Sequence, residues 1–188
     1  MSGTNKPGFT LLEIMVALAI IALIAAAVVP RFDRGLPLKR RQAFTAELNA
    51  LLGLGWQQAL TTNTIHRVTF DFDKNLFLLQ ADDKAGLGDN KGFQEVKGAF
   101  IMSSVSLPAD YEIKQFFIEG HDEMQRFGGG RGLKSAHFFI VPEGLMQAVI
   151  INLIDKNALD EQGRAVRFGL VINSFSGQCT YYDGFQKP

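Results

Sequence analysis

Glu13 is the residue whose placement most demands a chemical role. It stands in an apolar run from Phe9 to Val29, in which Thr10 is the one mildly polar companion. The run from Phe9 to Val29 is 21 residues long. As a helix rising about 1.5 Å per residue, that is enough to cross a bilayer core. A charged side chain costs on the order of 2.5–3.5 kcal/mol at mid-bilayer and less near an interface, so an ionisable residue there implies a function and a partner.

The other reactive side chains make weaker cases. His66, His121 and His137 are too scattered for a recognised metal spacing, and His66 and His137 are expected at strand ends or on a solvated sheet face. His121-Asp122-Glu123 reads as a solvated loop cluster, because the ligand spacing of a calcium loop is absent. Gly128-Gly129-Gly130-Arg131-Gly132 lacks both the strand-loop-helix context and the following Lys-Ser/Thr of a phosphate cradle, so a flexible loop is expected, one that orders on contact with a partner. Cys179, beside Tyr181 and Tyr182, reads as a small packed residue rather than a nucleophile. No Ser/His/Asp or Cys/His arrangement follows from spacing. The expectation is a protein with no catalytic residue, no metal and no cofactor: not an enzyme.

Composition narrows the class. The chain has 188 residues, room for one domain beyond an anchor. Lys and Arg total 19 against 19 for Asp and Glu, so no basic footprint argues for nucleic acid. Sixteen Phe suit a β-rich core, and the single cysteine, Cys179, cannot close an intramolecular disulfide.

Residues 1–8 form a short polar leader. An ordinary secretory signal would have a shorter apolar stretch with its cleavage site beyond it; here the Gly8-Phe9 junction precedes the stretch. The helix over 9–29 meets Pro30, which removes a backbone donor and predicts a kink or local loosening, extended by Gly35 and Pro37. A second, amphipathic helical stretch fills 30–62, strongest from about Leu38 to Leu60. Phe44, Leu48, Leu51, Leu52 and Ala59 mark its packed face, Gly55 lies on that face where a sheet could approach closely, and Lys39, Arg40, Arg41 and Glu47 are assigned to the wet side.

From residue 63 to 188 the period changes to two and a β-rich domain follows. Val68, Phe70 and Phe72 alternate with polar residues, Asp73-Lys74-Asn75 turns, and Leu76–Gln80 completes a hairpin. Residues 81–92 read as loop, Val96–Met102 and Tyr111–Ile118 as strands, and Gly120–Lys134 as a charged, glycine-rich loop. Ala136–Val141 and Leu145–Ile154 are expected to pair as a second hairpin about Pro142-Glu143-Gly144. Alternation over Val166–Ile172, then Cys179–Tyr182, completes the set. A long helix followed by antiparallel strands is an α+β pattern.

Lys6-Pro7-Gly8-Phe9-Thr10-Leu11-Leu12-Glu13 resembles the class III signal of type IV pilins and type II secretion pseudopilins, and Pro30 falls where pilin helices commonly carry a proline. The resemblance implies cleavage by prepilin peptidase after Gly8, N-methylation of the new terminus Phe9, and pairing of Glu13 with the terminal amine of a neighbouring subunit. Opposite charges about 4 Å apart attract by roughly 4 kcal/mol at an effective dielectric of 20, which offsets the cost of a carboxylate in lipid and sets axial register.

More loosely, "FTAELNALLGLGWQQAL" with "HRVTFDFD", "FFIVPEGLMQAVIINLID" and "FGLVINSFSGQCTYYD" resemble the GspH/FimT family of minor pseudopilins. That implies the pilin fold, a structural role in a type II secretion pseudopilus driving export across the outer membrane, and partners among other major and minor pseudopilins, the peptidase and the inner-membrane secretion platform. It also implies a single-pass inner-membrane protein with a periplasmic C-terminal domain. The positive-inside rule alone points the other way, since Arg31, Arg34, Lys39, Arg40 and Arg41 follow the apolar run and only Lys6 precedes it. The alternative is a FimT-like minor pilin of a type IV pilus, serving assembly or DNA uptake. That reading wants a basic patch on the head. In sequence the one cluster is Arg126, Arg131 and Lys134, diluted by Asp122 and Glu123.

Overall fold

A computed structural model describes residues 10–82, 92–96, 102–126 and 132–188, with the side chains of 25–36 set aside. The leader residues Gly8 and Phe9 lie outside the described residues. Helix α1 runs over Leu11–Thr62 without a break at Pro30, Gly35 or Pro37. Sequence predicts two helical stretches; a proline removes only one backbone bond at its position, and here the helix continues through it.

Two units are distinguished along the chain, Met1–Arg40 and Arg41–Pro188. In the first, the described apolar side chains from Leu11 to Ile24 are all exposed. In the second, the C-terminal part of α1 packs against two antiparallel sheets. Asn63 at φ 49° ends the helix in the left-handed conformation that asparagine tolerates.

The first sheet, sheet A, has the order β3-β2-β1-β7, built from β1 (His66–Asp71), β2 (Leu76–Asp82), β3 (Phe93–Glu95) and β7 (Ser135–Ile140). Strand β4 (Ser104–Ser106) joins β2 beside Leu76–Leu78, while β3 pairs further along at Gln80–Asp82. The second, sheet B, has the order β10-β9-β8-β5-β6, from β5 (Tyr111–Ile118), β6 (His121–Asp122), β8 (Val149–Leu159), β9 (Ala165–Ile172) and β10 (Cys179–Asp183). A four-residue helix, α2 (Glu123–Arg126), follows β6.

Period-two alternation puts Val68, Phe70, Phe77, Leu79, Phe138 and Ile140 of sheet A into the core. Sheet B contributes Phe116, Ile151, Leu153, Phe168 and Leu170. Phe44, Leu48, Leu51, Leu52 and Ala59 of α1 seal against both. A Cβ on Gly55 would stand 2.7 Å from Cδ1 of Ile140 and of Leu79, so its lack of a side chain sets how closely helix and sheet approach.

Two expectations are corrected, and a third lies mostly outside the described residues. The hairpin of β7 with β8 does not form: β7 pairs with β1, β8 pairs with β5 and β9, and a lone bridge between Ile140 and Met146 is what remains. The turn itself is tight, with Gly144 N–H donating to Val141 O at 3.0 Å. However, β8 is buried at successive positions, as a central strand must be, and it therefore crosses to the other sheet. The strand expected at Val96–Met102 lies mostly outside the described residues. Finally, the 120–134 loop carries β6 and α2, with 127–131 outside the described residues.

Candidate functional site

The first turn of α1 carries the one described residue of the expected processing and assembly site. Thr10 is the N-cap: Glu13 N–H donates to Thr10 Oγ1 at 3.2 Å and to Thr10 O at 3.1 Å. Thr-x-x-Glu is the spacing of a capping box, and a carboxylate in a helix's first turn also interacts favourably with the helix dipole. The bonds to Thr10 are made by the Glu13 backbone N–H and are independent of its carboxylate. Around it, Leu11, Leu12, Ile14, Met15, Val16 and Leu18 are exposed on all sides of the helix. A helix apolar all round requires an apolar surrounding. Among the described residues, no helix is long and apolar enough to cross a membrane.

In the head, the residues singled out from sequence are not brought together. His66 opens β1, at a strand end as expected, but is buried there with Nδ1 3.0 Å from Thr64 O. His137 lies on the solvent side of β7, edge-on to Phe139 at 5.4 Å; partial desolvation by its neighbours, then the charge of Arg67, hold its pKa below the usual imidazole range, partly offset by Glu123. Asp122 spends Oδ1 on the backbone N–H of Met124 at 3.1 Å and of Phe116 at 3.4 Å. No group of three or more metal-ligating side chains exists among the described residues. Cys179 is buried, and burial pushes its thiol up to about 12, which removes the thiolate that a nucleophile needs. Gly128–Arg131 lie outside the described residues.

Several polar anchors were missed. Arg41, expected on the wet side, is buried: its guanidinium lies 3.7 Å from Asp155 and 3.9 Å from Asp183 and 5.3 Å from the ring centre of Phe168. The clue was available, since Arg41 precedes Phe44 and Leu48 by three and seven positions and shares their helical face. Asn49 bonds both backbone groups of Cys179, with distances of 2.6 and 2.8 Å. Asn152, fully buried in β8, does the same to Gln186, accepting its N–H at 2.8 Å and donating to its carbonyl at 2.9 Å, so that the C-terminal residues are fastened over sheet B. Neither asparagine sits in a pattern that sequence periodicity reports. Nor did the sequence show that Lys114, Arg164 and Arg167 would line one groove; the cluster at Arg126 and Lys134 is therefore not the head's one basic grouping.

Known proteins give a consistent likeness. Residues 4–29 match the prokaryotic N-terminal methylation motif, a span that includes Gly8, Phe9 and Glu13. No curated protein sequence matches the chain. The fold is similar to that of the minor pseudopilin EpsH from the type 2 secretion system of Vibrio cholerae, at 11% identity and a TM-score of 0.50, over 76% of this chain and 95% of that one. A second structure of that pseudopilin aligns at 12% identity and a TM-score of 0.48, over 78% and 93%. The chain thus joins an N-terminal methylation motif at residues 4–29 to a fold similar to that of a minor pseudopilin.

Proposed function

We propose that this chain is a minor pseudopilin of a type II secretion system, cut after Gly8, N-methylated at Phe9, and anchored in the inner membrane by residues 9–29, with 63–188 as a periplasmic head. The observation that carries the reading is the pairing of a methylation motif at residues 4–29 with a two-sheet pseudopilin head. In the assembled fibre, the apolar sides of Leu11–Ile24 pack on equivalent helices. Glu13 meets the Phe9 amine of a neighbour, a pairing that compensates two charges in a low dielectric. The other pseudopilins, the prepilin peptidase and the inner-membrane secretion platform are the partners.

Intact-mass measurement of the protein from its native host tests the processing. A mature form beginning at methylated Phe9 is expected; one beginning at Met1, or after a small residue beyond the apolar run, overturns it. Deletion of the gene separates the two systems. Loss of secretion with pili intact supports the pseudopilin reading, and loss of pili or of DNA uptake with secretion intact replaces it by the type IV pilus reading.

A further inference from the structure

The face of sheet B turned away from α1 carries a groove of about 540 Å³. Its floor and one wall are apolar: Ile154 on β8, Ala165 on β9 and Phe185 from the C-terminal segment. Its charged lining is Lys114, Arg164 and Arg167, with no carboxylate among the lining residues. In a chain whose acids and bases balance at 19 each, that is a local concentration of one sign. The register builds it, since Ile154 is the cross-strand neighbour of Arg167 on one side and of Glu112 on the other.

The three cations are not equivalent. Lys114 is hydrogen-bonded to Glu112, which also meets Lys156 at 3.2 Å. Arg164 is held by Asp160 at 3.0 Å. Arg167 lies over the Phe185 ring at 5.5 Å, is exposed, and has no carboxylate partner among the described residues. Its planar fork suits a bidentate carboxylate, with Phe185 fixing its orientation. The neighbouring acids Glu112 and Asp160, which hold Lys114 and Arg164, repel a continuous polyanion and leave Arg167 as the cation open to a single acidic side chain.

We propose that this groove docks an acidic-apolar segment of a partner protein, one Asp or Glu side chain paired with Arg167 and an apolar side chain seated on Ile154 and Ala165. This inference goes beyond the pseudopilin reading and stands or falls separately from it. The test uses the full chain in detergent micelles with isotope-labelled arginine, titrated with N-acetyl-Glu-Leu-Glu-amide, its Gln-Leu-Gln counterpart and a short oligothymidylate. Saturable shifts of the Arg167 Nε signal with the acidic peptide are expected. Binding should be about tenfold weaker for the Gln peptide and for Arg167→Ala, and should weaken between about 50 and about 300 mM salt. Arg67→Ala, on the other sheet, should bind as wild type, and Lys114→Gln should weaken binding less than Arg167→Ala. The thermal midpoint of each variant shows that it is folded. No saturable shift with the acidic peptide, equal binding of the Gln peptide, folded Arg167→Ala that binds undiminished, or tighter binding of the oligonucleotide each overturns the proposal.

Discussion

Asn49 on α1 grips the backbone of Cys179 at both ends of its amide: Oδ1 accepts the Cys179 N–H at 2.6 Å and Nδ2 donates to the Cys179 carbonyl at 2.8 Å. Strand β10 is the outer strand of its sheet, and Cys179 is its first residue. The side chain therefore supplies what a further strand would supply, and ties the helix to the sheet's edge. Replacing Asn49 by Ala leaves two partly buried backbone groups unpaired, at about 1–3 kcal/mol for each group that water cannot reach. Asn49→Asp keeps the acceptor and loses the donor, so it should cost less than Asn49→Ala unless the new charge is poorly solvated. Urea unfolding of the two variants measures this; equal stability of Asn49→Ala and wild type contradicts it.

Gly53 and Gly55 are two residues apart on α1 and make opposite predictions. A Cβ at Gly53 meets nothing within 4 Å, whereas one at Gly55 meets Ile140 and Leu79 at 2.7 Å. Gly53→Ala should stabilise the head by about 0.5–1 kcal/mol, the helical propensity difference between the two residues. Gly55→Ala gains the same propensity but overpacks a filled core, which costs about 1–3 kcal/mol. The net expectation is neutral to destabilising, and Gly55→Val should be clearly worse. Paired thermal or urea melts decide it; a stabilised Gly55→Ala shows that the Ile140 and Leu79 side chains can yield.

How far the fold could be read from sequence follows from the range of each signal. The helix face at Phe44, Leu48 and Leu52 and the alternation at Val68 and Phe70 are local periodicities, and each appears where expected. What failed was non-local. The turn at Pro142-Glu143-Gly144 is real, but which strand β7 joins depends on β1, some seventy residues earlier in sequence, and no local pattern records that partner. Arg41, Asn49 and Asn152 are polar residues whose burial is decided by distant partners, Asp155, Cys179 and Gln186. The processing motif was the most legible feature because it is a contiguous string of residues.

Cys179 gives a pH prediction with a definite sign. Burial raises its thiol from an ordinary value of 9.0 to about 12 in the folded head. The native state therefore holds the proton that the unfolded chain releases. This contribution to stability is fully present below about pH 9 and is lost progressively as the pH rises towards about 12. In the same range, Cys179→Ala should lose this component of the pH dependence, while losing some packing at every pH. Reaction with a thiol reagent at pH 8 should be slow in native protein and fast in urea. Rapid native labelling would show that the thiol is reached without unfolding.

Glu13 can act in two ways, and substitutions separate them. At N3 behind the Thr10 cap it has capping-box spacing and a first-turn position that favours a carboxylate by about 0.3–1 kcal/mol. As an intramembrane carboxylate it is the proposed partner of a neighbouring Phe9 amine. Glu13→Gln preserves the capping-box side chain and removes the charge, whereas Glu13→Leu removes both. If capping is the whole role, Glu13→Gln behaves as wild type and Glu13→Leu shows modest fraying of the helix start with assembly intact. If pairing between subunits is the role, both variants insert as well as wild type or better, because a charge has been removed from lipid. Both are cleaved, both accumulate in the inner membrane, and both lose crosslinks between membrane helices. The pairing reading predicts this second outcome for Glu13→Gln and Glu13→Leu alike. Unchanged crosslinking and unchanged assembly with Glu13→Gln would leave Glu13 with no more than its place in the first turn of α1.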